Sequence, residues 1–271
     1  MHYMEYNIGI VGLGFVGSAL EKSFKLKNIK VICYDKYKNG GIGSLCDIIY
    51  CNIVFLCLPT LFSETTQCYD KSAIHDVCDD LEKLKFKGII VLKSTIEPDT
   101  TNKLSSKYTQ LNICHNPEFL TARTAFDDFH NQQHIVIGFT DYFNDNGLLE
   151  KFYAEYFPNA EISVCSALES ESMKIFCNSF YASKVMLFNE YYLLCQKNGA
   201  NFEKIKNIMF KNNWINPMHT SVPGPDGLLG YGGACFPKDT KALLGYMQDK
   251  NTECNILKSV IDGCDRLRKE E

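Results

Sequence analysis

The sequence predicts an α/β chain: a doubly wound parallel sheet followed by a mostly helical region built around one long helix. Three observations carry this. Short apolar runs of strand length alternate with helical spacing over residues 1–165, a glycine-rich turn joins the first run to the first helix, and residues 166–197 contain neither Gly nor Pro. The strand candidates are 7–12, 30–34, 53–58, 89–92, 111–115 and 134–138, with a short last one at 161–165. Helical spacing covers 15–26, 73–84 and 142–156. Continuous apolar strands separated by helices bury both faces, so the sheet is expected to be parallel and covered on each side.

The pattern then changes. Ser166 and Glu169 match a capping box, in which the Ser oxygen takes an orphan helix N–H and the Glu reaches back. A helix from there to about Lys197 would run roughly 45 Å at 1.5 Å per residue. A second helical stretch covers 202–211, a Pro- and Gly-rich loop covers 217–233, and the short segment 235–239 precedes a helical tail. The boundary is expected near Cys165, giving a dinucleotide-binding domain over 1–165 and a helical domain over 166–271. Phe176, Phe180, Tyr181, Met186, Phe188, Tyr191 and Tyr192 fall on more than one face of the long helix. Such a helix needs burial on several sides, so two copies are expected to meet across a two-fold axis as a homodimer.

Composition excludes several classes. With 28 Lys+Arg against 32 Asp+Glu among 271 residues, the formal net charge is -4, which argues against nucleic acid or an anionic membrane as partner. Arg123, Arg266 and Arg268 are the only arginines, so a phosphate-rich ligand must rely on backbone N–H groups and lysines. Thirteen cysteines form no CxxC pair, and most sit in apolar runs, as Cys33, Cys57 and Cys114 do. Reduced thiols packed as small hydrophobes fit this better than disulfides or zinc. No signal peptide and no membrane-length apolar run is visible, so a cytosolic setting is expected. The six histidines form no metal-spaced cluster, so no metal is expected. His115 and His134, beside strands, read as structural.

Gly12-Leu13-Gly14-Phe15-Val16-Gly17 follows a strand and opens a helix, and Asp35 ends the next strand 18 residues after Gly17. Gly12 permits the tight turn, Gly14 lets a pyrophosphate approach the backbone, and Gly17 lets helix pack on sheet. The helix N-terminus offers N–H donors and a positive dipole end to phosphate. Asp35, with Lys36 beside it, would accept from ribose hydroxyls and repel a 2′-phosphate, favouring NAD over NADP. The first domain is therefore expected to be Rossmann-type.

Reactive chemistry points elsewhere. Cys235 lies among glycines with Lys238 and Asp239 just beyond, and a nearby ammonium favours the thiolate. An inconsequential loop cysteine is the other reading. Lys174 and Asn178, one helical turn apart among apolar neighbours, either meet a polar ligand or reach solvent. Glu118, after Asn116-Pro117, is either a general base or a helix N-terminal acid. Lys93-Ser94-Thr95 ends another strand, and ligands bind beyond the carboxyl ends of such strands.

GLGFVG, Leu58-Pro59-Thr60, Lys93-Ser94-Thr95, Asn116-Pro117-Glu118-Phe119-Leu120, the Lys174/Asn178 pair and the segment from Gly230 to Asp239 appear in this order. The whole set resembles the UDP-glucose/GDP-mannose dehydrogenase family. That resemblance implies oxidation of the C6 alcohol of a nucleotide-linked hexose, UDP-glucose first, to a carboxylate, using two NAD in succession. It implies Cys235 as nucleophile, Lys174 and Asn178 as oxyanion stabilisers, and Asp239 as the acid that positions or activates water. Glu118 would be the base in thioester hydrolysis and Thr95 would line the water site. The cofactor would lie on Gly12, Gly14, Phe15, Val16, Gly17, Asp35, Lys36, Thr60 and Thr95, and the substrate on Glu118, Phe119, Leu120, Lys174, Asn178, Tyr231, Gly232 and Gly233. Lys238 matches a motif position without an argued role. Against the family pattern, the usual C-terminal domain that helps hold the uridine diphosphate is expected to be missing. The chain also has Thr121-Ala122-Arg123 where an arginine usually follows directly, and a different loop over 218–227. A single-step hydroxyacid-type dehydrogenase and a non-catalytic NAD-binding protein are the competing readings.

Overall fold

The computed structural model describes residues 6–143 and 147–269. Two compact units divide the chain: one takes the described residues up to Leu61 with Asp70–Lys174, the other Phe62–Tyr69 with those from Ile175 onwards. The expected boundary at 165/166 falls where the long helix starts, whereas the units part inside that helix.

The first unit runs β1 (Ile8–Val11), α1 (Phe15–Leu26), β2 (Val31–Tyr34), α2 (Leu45–Ile48) and β3 (Ile53–Leu56). The chain then gives β4 (Phe62–Ser63) and β5 (Cys68–Tyr69), a hairpin belonging to the second unit. Back in the first unit come α3 (Ser72–Lys83), β6 (Ile89–Leu92), α4 (Thr100–Lys107), β7 (Asn112–His115), α5 (Ala125–His130), β8 (His134–Phe139), α6 (Leu148–Tyr156) and β9 (Glu161–Ser166). The helix expected over 142–156 begins only at Leu148, after Gly147 at φ +74, and 144–146 lie outside the described residues.

Seven strands form one sheet in the order β2-β1-β3-β6-β7-β8-β9. Period-two alternation covers both faces. In β3 and β6, Ile53, Phe55, Ile89 and Val91 enter a core with α1, α5 and α6, while Val54, Leu56, Ile90 and Leu92 enter a second with α2, α3 and α4. The sheet is a Rossmann-type, doubly wound one, as expected, but it is not wholly parallel. β8 runs against β7, the pair meeting at His115 and Gly138. The link between them, residues 116–133, carries only the six-residue α5 in place of a long crossover helix. Strand order reverses between β1 and β3, which puts the ligand crevice beyond their carboxyl ends.

The long helix α7 (Ala167–Asn198) starts on the expected capping box. Glu169 Oε2 accepts from the Ser166 backbone N–H and hydroxyl, both at 2.8 Å, and the Glu169 N–H donates to Ser166 Oγ at 3.2 Å. The second unit continues with α8 (Phe202–Met209), α9 (Phe236–Asp249) and α10 (Asn255–Lys269). The expected tail is thus two helices, broken where Asn251 turns left-handed at φ +53. The segment 235–239 is the first turn of α9 rather than a loop before it: Pro237 suits a first turn, where its missing N–H costs nothing. Tyr69, Ile175, Ala242, Leu243, Leu257 and Ile261 form one of this unit's cores.

Candidate active-site residues

In the first unit the glycine turn has the geometry a pyrophosphate needs. Gly12 sits at φ +89, and a Cβ there would come 2.5 Å from the Cys57 carbonyl oxygen. A Cβ on Gly17 would come 1.9 Å from the Gly12 oxygen, so α1 lies on the turn as closely as backbone allows. At Gly14 a Cβ would meet nothing within 4 Å. No side chain caps α1 and no acid occupies its first turn, so its leading N–H groups are left for an anion. Val16 packs inward and Phe15 stays exposed beside the turn. These residues fit the diphosphate of a dinucleotide.

Asp35 ends β2 with both carboxylate oxygens accepting: Oδ2 from the Leu13 N–H at 2.7 Å, Oδ1 from the N–H groups of Tyr37 and Lys38 at 3.0 and 2.9 Å. Burial alone would raise its pKa, but these three backbone bonds hold it below the usual carboxylate value. It is therefore an anionic acceptor that also ties the turn to β2. Lys36 is exposed, its ammonium 5.5 Å from the centre of the Tyr37 ring. Lys38, not singled out from the sequence, reaches back to the Leu13 oxygen at 2.6 Å and Ser18 Oγ at 3.0 Å. Thr60 donates to the Thr95 carbonyl at 2.8 Å, which joins the ends of the β3 and β6 loops.

Beyond β7 the same unit gathers a buried set around Glu118. Lys174 donates to the Glu118 carbonyl oxygen at 2.5 Å, lies 3.2 Å from its Oε1, and has the Phe119 ring 5.6 Å away. Glu118 Oε2 accepts from the Leu120 N–H at 2.5 Å, which closes the turn on itself. The ion pair is 6% and 7% exposed, so neither charge has bulk water as an alternative partner. Lys93 supports this turn from beneath, donating to Asn116 Oδ1 at 2.9 Å and the Pro117 oxygen at 3.3 Å. Burial pulls the Lys93 pKa down to about 8. Tyr153 also donates to Asn116 Oδ1, and Asn116 Nδ2 donates to the Val136 oxygen at 2.5 Å. His115 is buried with Nδ1 2.8 Å from Ser170 Oγ, and His134 pairs with Ser163 and stacks on Phe119. Among the described residues no group of His, Cys, Asp and Glu is arranged to hold a metal.

The second unit holds the thiol. Cys235 is the N-cap of α9, a position where the helix dipole favours a thiolate. One turn on, the Asp239 N–H donates to the Cys235 carbonyl at 3.0 Å, and the Asp239 side chain is completely buried. Asp239 Oδ2 accepts from Asn178 Nδ2 at 2.6 Å, and Oδ1 from Lys238 Nζ at 2.6 Å and the Tyr69 hydroxyl at 2.5 Å. Lys238, expected as a nearby ammonium, is thus paired with that carboxylate. Tyr231 is buried, with its hydroxyl 3.3 Å from Thr240 Oγ1. A Cβ on Gly232 would come 2.8 Å from the Arg268 guanidinium, and Gly233 at φ +78 opens to space. A cleft of about 290 Å³ runs past Tyr231, Gly232, Lys241 and Arg268.

The residues expected to act together therefore divide between units: Thr95, Glu118 and Lys174 in the first, Asn178, Cys235 and Asp239 in the second. Lys93 belongs to the Lys93-Ser94-Thr95 motif, whereas Lys38 and Tyr69 belong to no motif, so of the three only Lys93 had a sequence signal.

A dinucleotide-binding sheet followed by a helical unit with a thiol at a helix N-cap defines a class of two-part NAD-linked proteins. Residues 46–157 match the NAD binding domain of the UDP-glucose/GDP-mannose dehydrogenase family, and residues 168–264 match its central domain. The chain belongs to that family, and NAD is its cofactor. It is similar to a UDP-glucose 6-dehydrogenase of Rickettsia prowazekii, 35% identical over 198 residues, which are 71% of this chain and 44% of that protein. It spans about half the length of the curated relatives it matches. In structure it resembles a UDP-glucose dehydrogenase of Pyrobaculum islandicum (TM-score 0.84, 22% identity, 98% of this chain and 69% of that one). It also resembles a 3-hydroxyisobutyrate dehydrogenase of Mycobacterium tuberculosis (TM-score 0.76, 16% identity, 96% and 92%).

Proposed function

We propose that this chain carries the NAD-dependent oxidation of the C6 alcohol of a nucleotide sugar, UDP-glucose first, to the uronic acid. The observation that carries the reading is Cys235 at the N-cap of α9 with a buried, Asn178-bound Asp239 one turn on. That is a thiol and a carboxylate where a loop cysteine would have neither helix nor acid. Bound on the glycine turn and Asp35, NAD supplies the hydride acceptor for each of two oxidations. The chain supplies the rest. The Cys235 thiolate adds to the aldehyde carbon, forming a C–S bond and an oxyanion that Lys174 and Asn178 stabilise. After the second oxidation the sulfur holds a thioester. Water, positioned by Asp239 and Thr95 and relieved of its proton by Glu118, adds to the thioester carbon. The C–S bond breaks, the thiolate leaves, and the acid is released. The aldehyde never leaves the protein.

The likeness to 3-hydroxyisobutyrate dehydrogenase, which covers nearly all of both chains, favours one alternative: a single hydride transfer in which Cys235 is dispensable. Counting NADH per substrate consumed separates the readings, two against one. Cys235→Ser with nucleotide sugar and NAD should give a burst near two NADH per site, then near-zero turnover and a protein heavier by the sugar acyl group. An oxygen ester has a poorer leaving group than a thioester, while both oxidations still proceed. Full-rate four-electron turnover by Cys235→Ala would remove the cysteine from the mechanism.

A further inference from the structure

We propose that Tyr69, on the β4–β5 hairpin, is a positioning residue that fixes the Asp239 carboxylate beside Cys235. The inference rests on the reading of Asp239 as the acid of the water step and names a residue which that reading did not contain. The hairpin interrupts the sequence of the NAD-binding domain, yet it belongs to the thiol-bearing unit.

Four features clamp it there. Gly245 lies against the hairpin so closely that a Cβ would come 2.2 Å from the Gln67 carbonyl oxygen. Lys241 pairs with Glu64 at 2.7 Å, with the Phe62 ring 5.8 Å from its ammonium. Lys238 lies over the Tyr69 ring at 4.6 Å. The Tyr69 ring is itself core, 1% exposed among Ile175, Ala242, Leu243, Leu257 and Ile261. From this packed position the phenol donates to Asp239 Oδ1 at 2.5 Å.

A carboxylate buried away from bulk solvent takes the orientation its donors impose. Lys238 and Asn178 are the other donors, the first on a flexible stem and the second charged with an oxyanion as well. Tyr69, whose ring has no freedom to move, is the rigid one. It holds Oδ1 in place and so leaves Oδ2 to Asn178.

Tyr69→Phe deletes the bond and keeps the ring, so the core is retained. In the ligand-free protein, hydrogen exchange of the 235–239 backbone should speed up while the β-sheet keeps its protection. In turnover, kcat should fall about tenfold, the loss expected for one hydrogen bond to a buried charge, with KM for NAD and for UDP-glucose within about twofold. The acyl-enzyme should accumulate in intact-mass spectra. In an Asp239→Asn background Tyr69→Phe should cost nothing further, because a positioning residue acts only through the group it positions. Gly245→Ala, which forces the hairpin away, should reproduce the exchange phenotype. Unchanged exchange at 235–239, an unchanged kcat, or additive losses in the double variant would each overturn the assignment. A parent protein that oxidises no nucleotide sugar would instead sink the proposed reaction and leave the exchange experiment to decide on Tyr69.

Discussion

At the scale of single residues, the first unit places several ionisable side chains where water cannot reach them, and the consequence is a pH dependence of known sign. Burial drives the His115 pKa down from 6.5 to about 3. The folded state therefore refuses a proton that the unfolded chain accepts. The stability this residue contributes is complete above pH 6.5 and is lost progressively as the pH falls towards 3, by up to ~5 kcal/mol. Glu171 acts oppositely: burial raises its pKa from 4.5 to about 7, so its contribution is complete below 4.5 and is lost as the pH rises through 7. Comparing the parent with His115→Gln cancels the Glu171 effect. Urea midpoints between pH 7 and 4 should fall more steeply for the parent than for the variant; equal slopes would contradict the assignment. Lys93 belongs to the same class, its contribution complete above 10.5 and lost as the pH falls through about 8.

At the scale of elements, the β1–α1 turn contains two glycines that are needed for different reasons, and substitution tells them apart. Gly17→Ala puts a methyl group 1.9 Å from a backbone oxygen that has nowhere to go. It should cost about 1–3 kcal/mol by overpacking, lower Tm, and weaken NAD binding because the helix N-terminus is displaced. Gly14→Ala meets no protein atom within 4 Å, so Tm should hold while the methyl group occupies the approach of the pyrophosphate. Calorimetry should show NAD affinity down about tenfold for Gly14→Ala at unchanged Tm. A parallel fall of Tm in both variants would contradict the split. The helix α4 shows the reverse dependence. Its sequence, TTNKLSSK, is poor in helix formers, and its start is capped from outside. Glu171 accepts from the Asp99 and Thr101 N–H groups at 2.6 and 2.7 Å and from the Thr101 hydroxyl at 2.5 Å.

At the scale of the whole molecule, the expected homodimer acquires a specific surface. Phe176, Phe180, Leu187, Tyr191 and Leu194 follow one another along α7 at intervals of four, seven, four and three residues, a single stripe. All five are 38–63% exposed. Met186 and Phe188, also counted as apolar in the sequence, are instead buried within the second unit. The stripe is what a second copy would cover. Sedimentation at micromolar concentration should give a dimer for the parent and a monomer for the Phe180→Glu, Leu194→Glu double variant, since two carboxylates in an apolar interface stay unpaired. A monomeric parent would end the idea.

The amino-acid sequence by itself determined the two-part α/β architecture, the glycine turn with Asp35, the capping box at Ser166, the cysteine at 235 and membership of the family. Each is a local signal: an apolar period, a glycine at a fixed offset, a short motif. Tertiary structure alone decided the rest. β4 and β5 have two residues each, too short for any period to register. The helix α4 depends on a carboxylate some 70 residues away. The reversal of β8 against β7 leaves no mark in the apolar run of either strand. Above all, Tyr69 meets Asp239 across 170 positions of sequence, and no spacing rule reaches that far. Sequence patterns report what neighbours in the chain do to one another. A buried carboxylate answers to neighbours in space, and only the fold chooses them.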